Sequence, residues 1–339
     1  MTKKKSISDL SKELGISTTT ISYVINGKGK EKRISEKVIE RIEKYIDEVG
    51  YQPDFLGRSL RTGKSMTIGL VVGDLANPFF AEIASEIEKL ATKHGYSVIV
   101  ASSNNELKLA QRALKVLIDR KVDGIAIAIS PGQEKEIRSL IKSKTSIVMY
   151  DRYFEGMNTC NVTVDNQQGA YEGVKHLYQN GFRNIALISF DLSLNNIILR
   201  NNGYLDFVKE NALKPLVFHL QYEINFNKVA DLIYEYLKLN PAIDALFVTT
   251  NILTLASIQV MKKLEKEGRK VALVSFDDHT LYEFFTPTIT AIAQPIQQIC
   301  KTIMEQLLLQ INGEEITKGT TITIPTIMKV RQSSMALNK

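Results

Sequence analysis

From Met66 onward the chain alternates short β-rich runs with amphipathic stretches long enough for helices, and that alternation limits which folds are open to it. The first series reads TIGLVV, an amphipathic run from Phe79 to Lys93, YSVIVA, a helix through Leu117, GIAIAI and SIVMY. The second places NIALIS, LVFHL, DALFVT and VALVSF between further helical stretches. Strands that alternate with helices make parallel sheets covered on both faces, so two such series predict an α/β body of two Rossmann-like subdomains. Ligands of such sheets bind beyond the carboxyl ends of the strands. The segments found there are DLANPFF, DRY at 151–153, VDN at 164–166, TTN at 249–251 and SFDD at 275–278, rich in aromatic, amide and carboxylate groups.

Composition narrows the function. At 339 residues, 44% hydrophobic and 24% charged, the chain reads as a soluble globular protein of two or three domains. No run reaches the roughly 18 apolar residues of a membrane helix, and MTKKKSISDL has no apolar core behind its lysines, so no membrane partner is expected and a cytoplasmic location is. Cys160 and Cys300 read as reduced core residues, while His94, His176, His219 and His279 form no ligand motif. Neither a metal nor a cofactor is expected. GRSLRTGKS at 57–65 imitates a phosphate-binding loop, but it has five residues between its glycines where four are required, and it precedes a strand instead of following one.

Charge is unevenly spread. Residues 1–65 hold 14 Lys and Arg against 9 Asp and Glu, whereas the other 274 residues hold 29 against 28. A basic end on a near-neutral body points to a module for a polyanion. Within it, Ser6 and Asp9 have capping-box spacing, Ile7, Leu10 and Leu14 recur at helical intervals, and Gly15 supplies a stop. Ser17 caps a second helix with Ile21, Val24 and Ile25 on one face and Thr19, Ser22, Tyr23 and Asn26 on the other. A third helix after Ser35 carries Val38, Ile39, Ile42, Ile46 and Val49 inward and ends at Gly50. Three short helices with a tight turn at Gly15 predict a helix-turn-helix whose second helix enters the DNA major groove. Thr18, Thr19 and Thr20 then offer hydroxyls and methyls to bases and phosphates, and the loop GKGKEKR, with Lys28, Lys30, Lys32 and Arg33, suits a phosphate backbone.

The stretches DLSKELGISTTTISYVING and ISEKVIERIEKYIDEVGYQPDFLGRSL resemble the DNA-binding headpiece of the lactose-repressor (LacI/GalR) family of bacterial transcription regulators. The resemblance implies that Ser17, Thr18, Thr19, Thr20, Ser22, Tyr23, Asn26 and Lys30 face DNA, with Thr18 and Thr19 choosing bases. Tyr23 stands where the family often has an arginine, which implies a nonstandard operator. Pro53 to Leu60 is implied to be a hinge helix that orders on DNA and wedges Leu60 into the minor groove. Asp54 and Gly57 replace the family's usual asparagine and alanine, and the glycine weakens that helix by about 1 kcal/mol.

The likeness extends through TPTITAIAQP and IPTIMKVRQSS, so it covers nearly the whole chain. It implies a headpiece at 1–50, a hinge and linker at 51–65, and an effector-binding and dimerisation domain of the periplasmic-binding-protein type at 66–339. That domain divides at about 66–164 with 294–325 and about 165–293 with 326–339. Arg200 in the R-x-x-G-Y element, Asn251 and Asp277 are implied to bond a sugar-like effector, with Phe79 or Phe80 stacking on it; Asn77, Arg152, Asp165 and Gln294 are further candidates. Ile252 replaces an acid common in the family, which makes the pocket less acidic and, among a sugar, a sugar acid or a sugar phosphate, slightly favours a ligand carrying a carboxylate or phosphate. Asp165 and Asn166 also suit helix capping or a hinge. Asp277 and Asp278, as neighbours at a strand end, point to opposite faces and make no acid–base pair. No nucleophile and base constellation is present, so an enzyme is not expected. The expectation is a homodimer on operator DNA governed by a small effector; a sugar-binding protein without gene control, a sugar-modifying enzyme and a regulator with a protein co-effector are the rivals.

Overall fold

The computed structural model describes residues 5–25, 27–51, 63–223, 225–314 and 319–335 and divides into two units, Met1–Ser65 and Met66–Lys339. In the first unit α1 (Ile7–Leu14) starts at a capping box: Ser6 accepts from the Asp9 amide while Asp9 accepts from the Ser6 amide, satisfying two orphan donors. It stops at Gly15, whose φ of 64° is the left-handed conformation a glycine adopts at little cost. Ser17 Oγ then accepts from the Thr20 amide at 3.1 Å and opens α2 (Thr18–Ile25). α3 (Glu36–Val49) follows and ends at Gly50. Leu10, Leu14, Ile21, Val24 and Ile42 are buried together, so this unit has an apolar core of its own. Each such side chain contributes roughly 1.5–3 kcal/mol by leaving water.

The second unit holds two six-stranded sheets. In chain order they are built from β1 (Thr67–Val72), α4 (Pro78–Lys93), β2 (Ser97–Ser102), α5 (Leu107–Asp119), β3 (Gly124–Ile127), α6 (Glu134–Lys142), β4 (Ser146–Tyr150) and β5 (Cys160–Val164). Then come α7 (Asn166–Gln179), β6 (Ile185–Phe190), α8 (Asn195–Glu210), β7 (Leu216–Leu220), α9 (Phe226–Leu239), β8 (Ala245–Val248), α10 (Asn251–Lys266) and β9 (Ala272–Phe276). The order closes with β10 (Thr290–Ala293), α11 (Ile296–Ile311), β11 (Thr321–Ile324) and β12 (Ile327–Lys329). One sheet has the order β11-β5-β4-β3-β1-β2, the other β12-β10-β9-β8-β6-β7. All pairings are parallel except β12 with β10, so the expectation of wholly parallel sheets fails at that edge. A strand entering from the other sheet only two residues after β11 arrives without a crossover helix, and so pairs antiparallel.

The chain passes between the sheets three times, from β5 to α7, from β10 to α11 and from β11 to β12. α11, reached by the second passage, packs on α4 beside the first sheet. Central strands such as β6, β8 and β9 are buried along their whole length, because helices cover both faces and leave no solvated side to alternate with. In the R-x-x-G-Y element, Gly203 lets α8 lie directly on α7: a Cβ there would collide with the Gln167 carbonyl oxygen. Tyr204 beside it is fully buried and donates from its hydroxyl to the Ile185 carbonyl at 2.9 Å.

Candidate functional site

A cleft with about 560 Å³ of open space lies where the carboxyl ends of the two sheets face each other. The first sheet supplies Asp74, Asn77, Phe79 and Phe80 after β1, Asn105 after β2, and Asp151 and Arg152 after β4. Across from them stand Phe190 at the end of β6, Leu192, Asn196 and Arg200 after it, Tyr222 after β7, Thr250 and Ile252 around the start of α10, and Asp277 after β9. Gln294 enters from the second passage between the sheets.

Arg200 is 2% exposed and fixed from three sides. Its Nε donates to Asn166 Oδ1 at 2.8 Å, one terminal nitrogen donates to the Thr249 carbonyl at 2.7 Å, and its plane sits 3.8 Å over the Phe276 ring. Asp277 lies 3.6 Å from Arg200 and accepts from Gln294 Nε2 at 2.7 Å. Burial pushes the Asp277 carboxyl above the usual carboxylate value, and Arg200 with Gln294 offsets part of that rise. Asp278 does turn the other way, onto Arg331 and Lys329 at 2.7 and 2.8 Å.

A second polar group forms on the opposite wall. Arg152 donates to Asp151 at 3.1 Å, to Asn105 Oδ1 at 2.5 Å and to the Ile129 carbonyl at 3.2 Å, with the Phe80 ring 5.5 Å away. Hydrogen bonds cross the cleft from here: Asn105 Nδ2 donates to Tyr222 Oη at 3.0 Å, and Asn196 Nδ2 to Asp151 Oδ1 at 3.0 Å. Each arginine in the cleft therefore already has a carboxylate beside it. Asp74 adds a third acid to two cations.

Of the expected effector residues, Asn77, Phe79, Phe80, Arg152, Arg200, Asp277 and Gln294 line this cleft. Two do not. Asp165 accepts from the Thr326 amide at 2.7 Å and so ties two passages between the sheets together, a hinge position with no face on the cleft. Asn251, at the first turn of α10, accepts from Tyr282 Oη at 3.0 Å and donates from Nδ2 to Oδ1 of the lining residue Asn77 at 3.5 Å; Thr250 and Ile252 take the lining positions. The sequence reading passed over Asn105, Asn196 and Tyr222, although each follows a strand end, and the strand-end rule applied to every strand would have found them.

In the headpiece, Thr18 and Thr19 are exposed at the start of α2 with Ser17, and Ser22 and Tyr23 are half-buried. Thr20 differs: its hydroxyl is 2.8 Å from Ser17 Oγ, so it serves the cap more than an outside partner. Lys30 is exposed with Glu36 at 3.4 Å, and Lys32 lies 5.7 Å from the Tyr23 ring. Asn26, Leu60 and the rest of the expected hinge helix fall outside the described residues, as do 57–62 of the imitation phosphate loop. Cys160 and Cys300 are buried free thiols whose pKa values burial raises to about 11 and about 12. Among the described residues no group of three or more His, Cys, Asp or Glu is placed to hold a metal ion, and no helix is long and apolar enough to cross a membrane.

Comparison with known proteins joins the two units. Residues 65–331 match the model for periplasmic binding proteins and the sugar binding domain of the LacI family, and residues 6–54 match that for bacterial regulatory proteins of the lacI family. The HTH-type transcriptional repressor PurR of Aliivibrio salmonicida (strain LFI1238) is 28% identical over 316 residues, spanning 91% of this chain and 92% of its own. A ribose operon repressor of Halalkalibacterium halodurans is 28% identical over 332 residues, spanning 97% and 96%. The crystal structure of the lac repressor dimer bound to operator and the anti-inducer ONPF superposes with a TM-score of 0.83 at 21% identity, covering 98% of this chain and all of that one. A headpiece with its own core, two sheets with a polar cleft between them and these matches lead to one conclusion: the chain belongs to the LacI family, as a DNA-binding transcription regulator with an effector-binding domain and not an enzyme.

Proposed function

We propose that this regulator acts in the cytoplasm as a homodimeric repressor of carbohydrate-related genes, and that a neutral sugar in the cleft sets its affinity for a pseudo-palindromic operator. The observation that carries the effector reading is the pairing of each cleft arginine with an aspartate, Arg200 with Asp277 and Arg152 with Asp151. Such a pair offers a hydroxyl a donor and an acceptor side by side. An anion would instead face three carboxylates and two cations that are already neutralised. The acid missing at position 252 favoured a sugar acid or phosphate in sequence terms; the paired arginines favour a neutral sugar. Phe79, on the edge of the cleft, supplies an apolar surface for a ring face, while Phe80 lies beneath Arg152.

The homodimer reading draws on the exposed side chains of Leu281 and Phe284, at 51% and 78%, near a trough along α10 in which Phe226, Leu255 and Phe285 stand beside Lys262, Lys263 and Lys266. Exposed apolar surface of this kind suits a two-fold contact with a second copy. Two headpieces then reach major grooves about 34–36 Å apart. A sugar that binds one arrangement of the two sheets better than another shifts the population toward it, and the cross-cleft bonds of Asn105 and Asn196 are the contacts it rearranges.

Selection of bound sequences from random duplex DNA, with and without D-ribose, D-xylose, D-fructose and their phosphates, tests this reading. A pseudo-palindrome whose recovery changes with one neutral sugar is the expected result. A response confined to a phosphorylated sugar overturns the effector class, and no enrichment at low salt overturns the operator reading. Sedimentation of Phe284→Glu should show monomer where the parent chain is a dimer.

A further inference from the structure

The Asp277 turn is held from outside the cleft. Asp277 has φ of 76°, in the left-handed region that residues with a side chain adopt uncommonly, aspartate more readily than most. On one side the turn is fixed by the Asp277 amide on the Ile292 carbonyl at 3.0 Å and by Ser275 Oγ on the Asp277 carbonyl at 2.9 Å. On the other, Asp278 accepts from both terminal nitrogens of Arg331, at 2.7 and 3.2 Å, and pairs with Lys329 at 2.8 Å. Arg331 is itself anchored: the nitrogen bonded to Asp278 Oδ1 also reaches the Ile289 carbonyl at 2.7 Å, the other reaches Glu283 at 3.0 Å, and its amide donates to Thr290 Oγ1 at 2.8 Å. Lys329 ends β12, the strand that leaves the third passage between the sheets, where Thr326 is bonded to Asp165.

We propose that Arg331, assisted by Lys329, is a positioning residue for the effector: by gripping Asp278 it fixes the turn that aims Asp277 into the cleft, and it links that carboxylate to the passage between the sheets. This rests on the reading of the cleft as the effector site. The geometry distinguishes two adjacent acids by task. Asp277 lines the cleft between Arg200 and Gln294, while Asp278 is turned onto Arg331 and Lys329 and acts through the backbone the two acids share. A rotation of one sheet against the other moves β12, and with it Lys329 and Arg331, so the seat of Asp277 depends on the arrangement of the sheets. An effector that uses Asp277 then distinguishes one arrangement from another, which is what a regulatory ligand requires.

The test uses the full-length chain and the variants Arg331→Gln, Arg331→Lys and Asp278→Asn, with D-ribose, D-xylose and D-fructose as probes in calorimetric titrations. In crystals of ligand-free Arg331→Gln, Asp277 should leave the left-handed region and lose its contact with Gln294. Affinity for whichever sugar binds the parent chain should fall about tenfold or more, the scale of losing one hydrogen bond to a charged group. Arg331→Lys should recover part of the loss. The double variant Asp277→Ala/Arg331→Gln should bind no more weakly than Asp277→Ala alone, since an arginine that acts through Asp277 has nothing left to position. Additive losses, or an Asp277 turn unmoved in Arg331→Gln, would overturn the assignment. Should Arg331→Gln fail to fold, Asp278→Asn carries the same structural comparison. If none of the three sugars binds the parent chain and the turn still moves, the sugar reading fails and the positioning role stands.

Discussion

Arg200 sits over Phe276, guanidinium carbon to ring centroid 3.8 Å, while Asp277, which follows Phe276 in the chain, meets the same guanidinium at 3.6 Å. Ring and carboxylate come from consecutive positions at the end of β9, so one backbone turn sets both contacts. A lysine has no plane to stack and no fork to reach Asn166 and Thr249 together. Arg200→Lys should therefore weaken effector binding by about 2 kcal/mol, near thirtyfold, with operator affinity in the absence of effector retained. Titration calorimetry and a parallel operator-binding assay check the two halves separately.

Acidity should act oppositely through the two neighbouring aspartates. Burial raises Asp277 above the ordinary value of 3.8, so it takes up its proton sooner than in the unfolded chain, and stability tied to it rises as pH falls through the raised value. A protonated Asp277 accepts hydrogen bonds poorly, so sugar affinity should decline in that same window, above pH 3.8; in Asp277→Asn this pH dependence should vanish. Burial alone would raise Asp278 too, but Arg331 and Lys329 outweigh it and hold the carboxyl below 3.8. Its contribution to stability is present above 3.8 and lost as pH falls through the lowered value. Urea denaturation of Asp278→Asn against the parent chain should thus show a deficit at neutral pH that shrinks only in strong acid.

The proposed DNA face predicts a separation of reading from holding in the headpiece. Tyr23 sits among the side chains of α2, and Tyr23→Ala should change which bases are preferred with little effect on salt dependence. Lys30 is exposed in the basic loop, and Lys30→Ala should weaken all sequences alike and reduce the salt slope by about 0.9. Glu36, 3.4 Å from Lys30, competes with phosphate for that charge, so Glu36→Gln should strengthen binding to every sequence by a modest factor. Fluorescence anisotropy over a salt series measures all three; equal loss from Tyr23→Ala and Lys30→Ala on every sequence would remove the distinction.

The close approach of α8 to α7 gives a stability prediction free of any ligand. A Cβ at 203 meets the Gln167 carbonyl and, at 2.8 Å, the Ala170 methyl, neither of which is the end of a flexible side chain. Gly203→Ala should cost about 1–3 kcal/mol, the range for overpacking, and move Arg200 one helical turn away with it. Thermal melts of the two chains, with sugar affinity beside them, should fall together.

Much of this organisation is legible in residue order, for identifiable reasons. Helix ends in the headpiece are written locally, as Ser6 with Asp9 and as Gly15, because caps depend on neighbours within a few positions. The opposed directions of Asp277 and Asp278 were likewise accessible from their adjacency at a strand end. What residue order left open depended on direction at a helix start. Asn251 belongs to the first turn of α10 and divides its side chain between Tyr282 and the cleft residue Asn77, while Thr250 before it caps the helix and lines the cleft. Asp165 is placed by Thr326, 161 residues later, a contact that spacing alone does not reveal. The antiparallel edge was hidden in the same way, because β12 has three residues and is oriented by the passage before it.

The pairing of β11 with β5 and of β12 with β10 has a consequence for biosynthesis. Nine residues, 321–329, supply an edge strand to each sheet, and both partners are made earlier. Until those residues emerge from the ribosome, β5 and β10 each present an unpaired row of amides and carbonyls. Neither half of the body can therefore be finished cotranslationally before the other. A nascent chain arrested short of residue 321 should carry two open edges beyond those at β2 and β7, which makes it a natural client for a chaperone and a poor candidate for rescue by supplying either half alone.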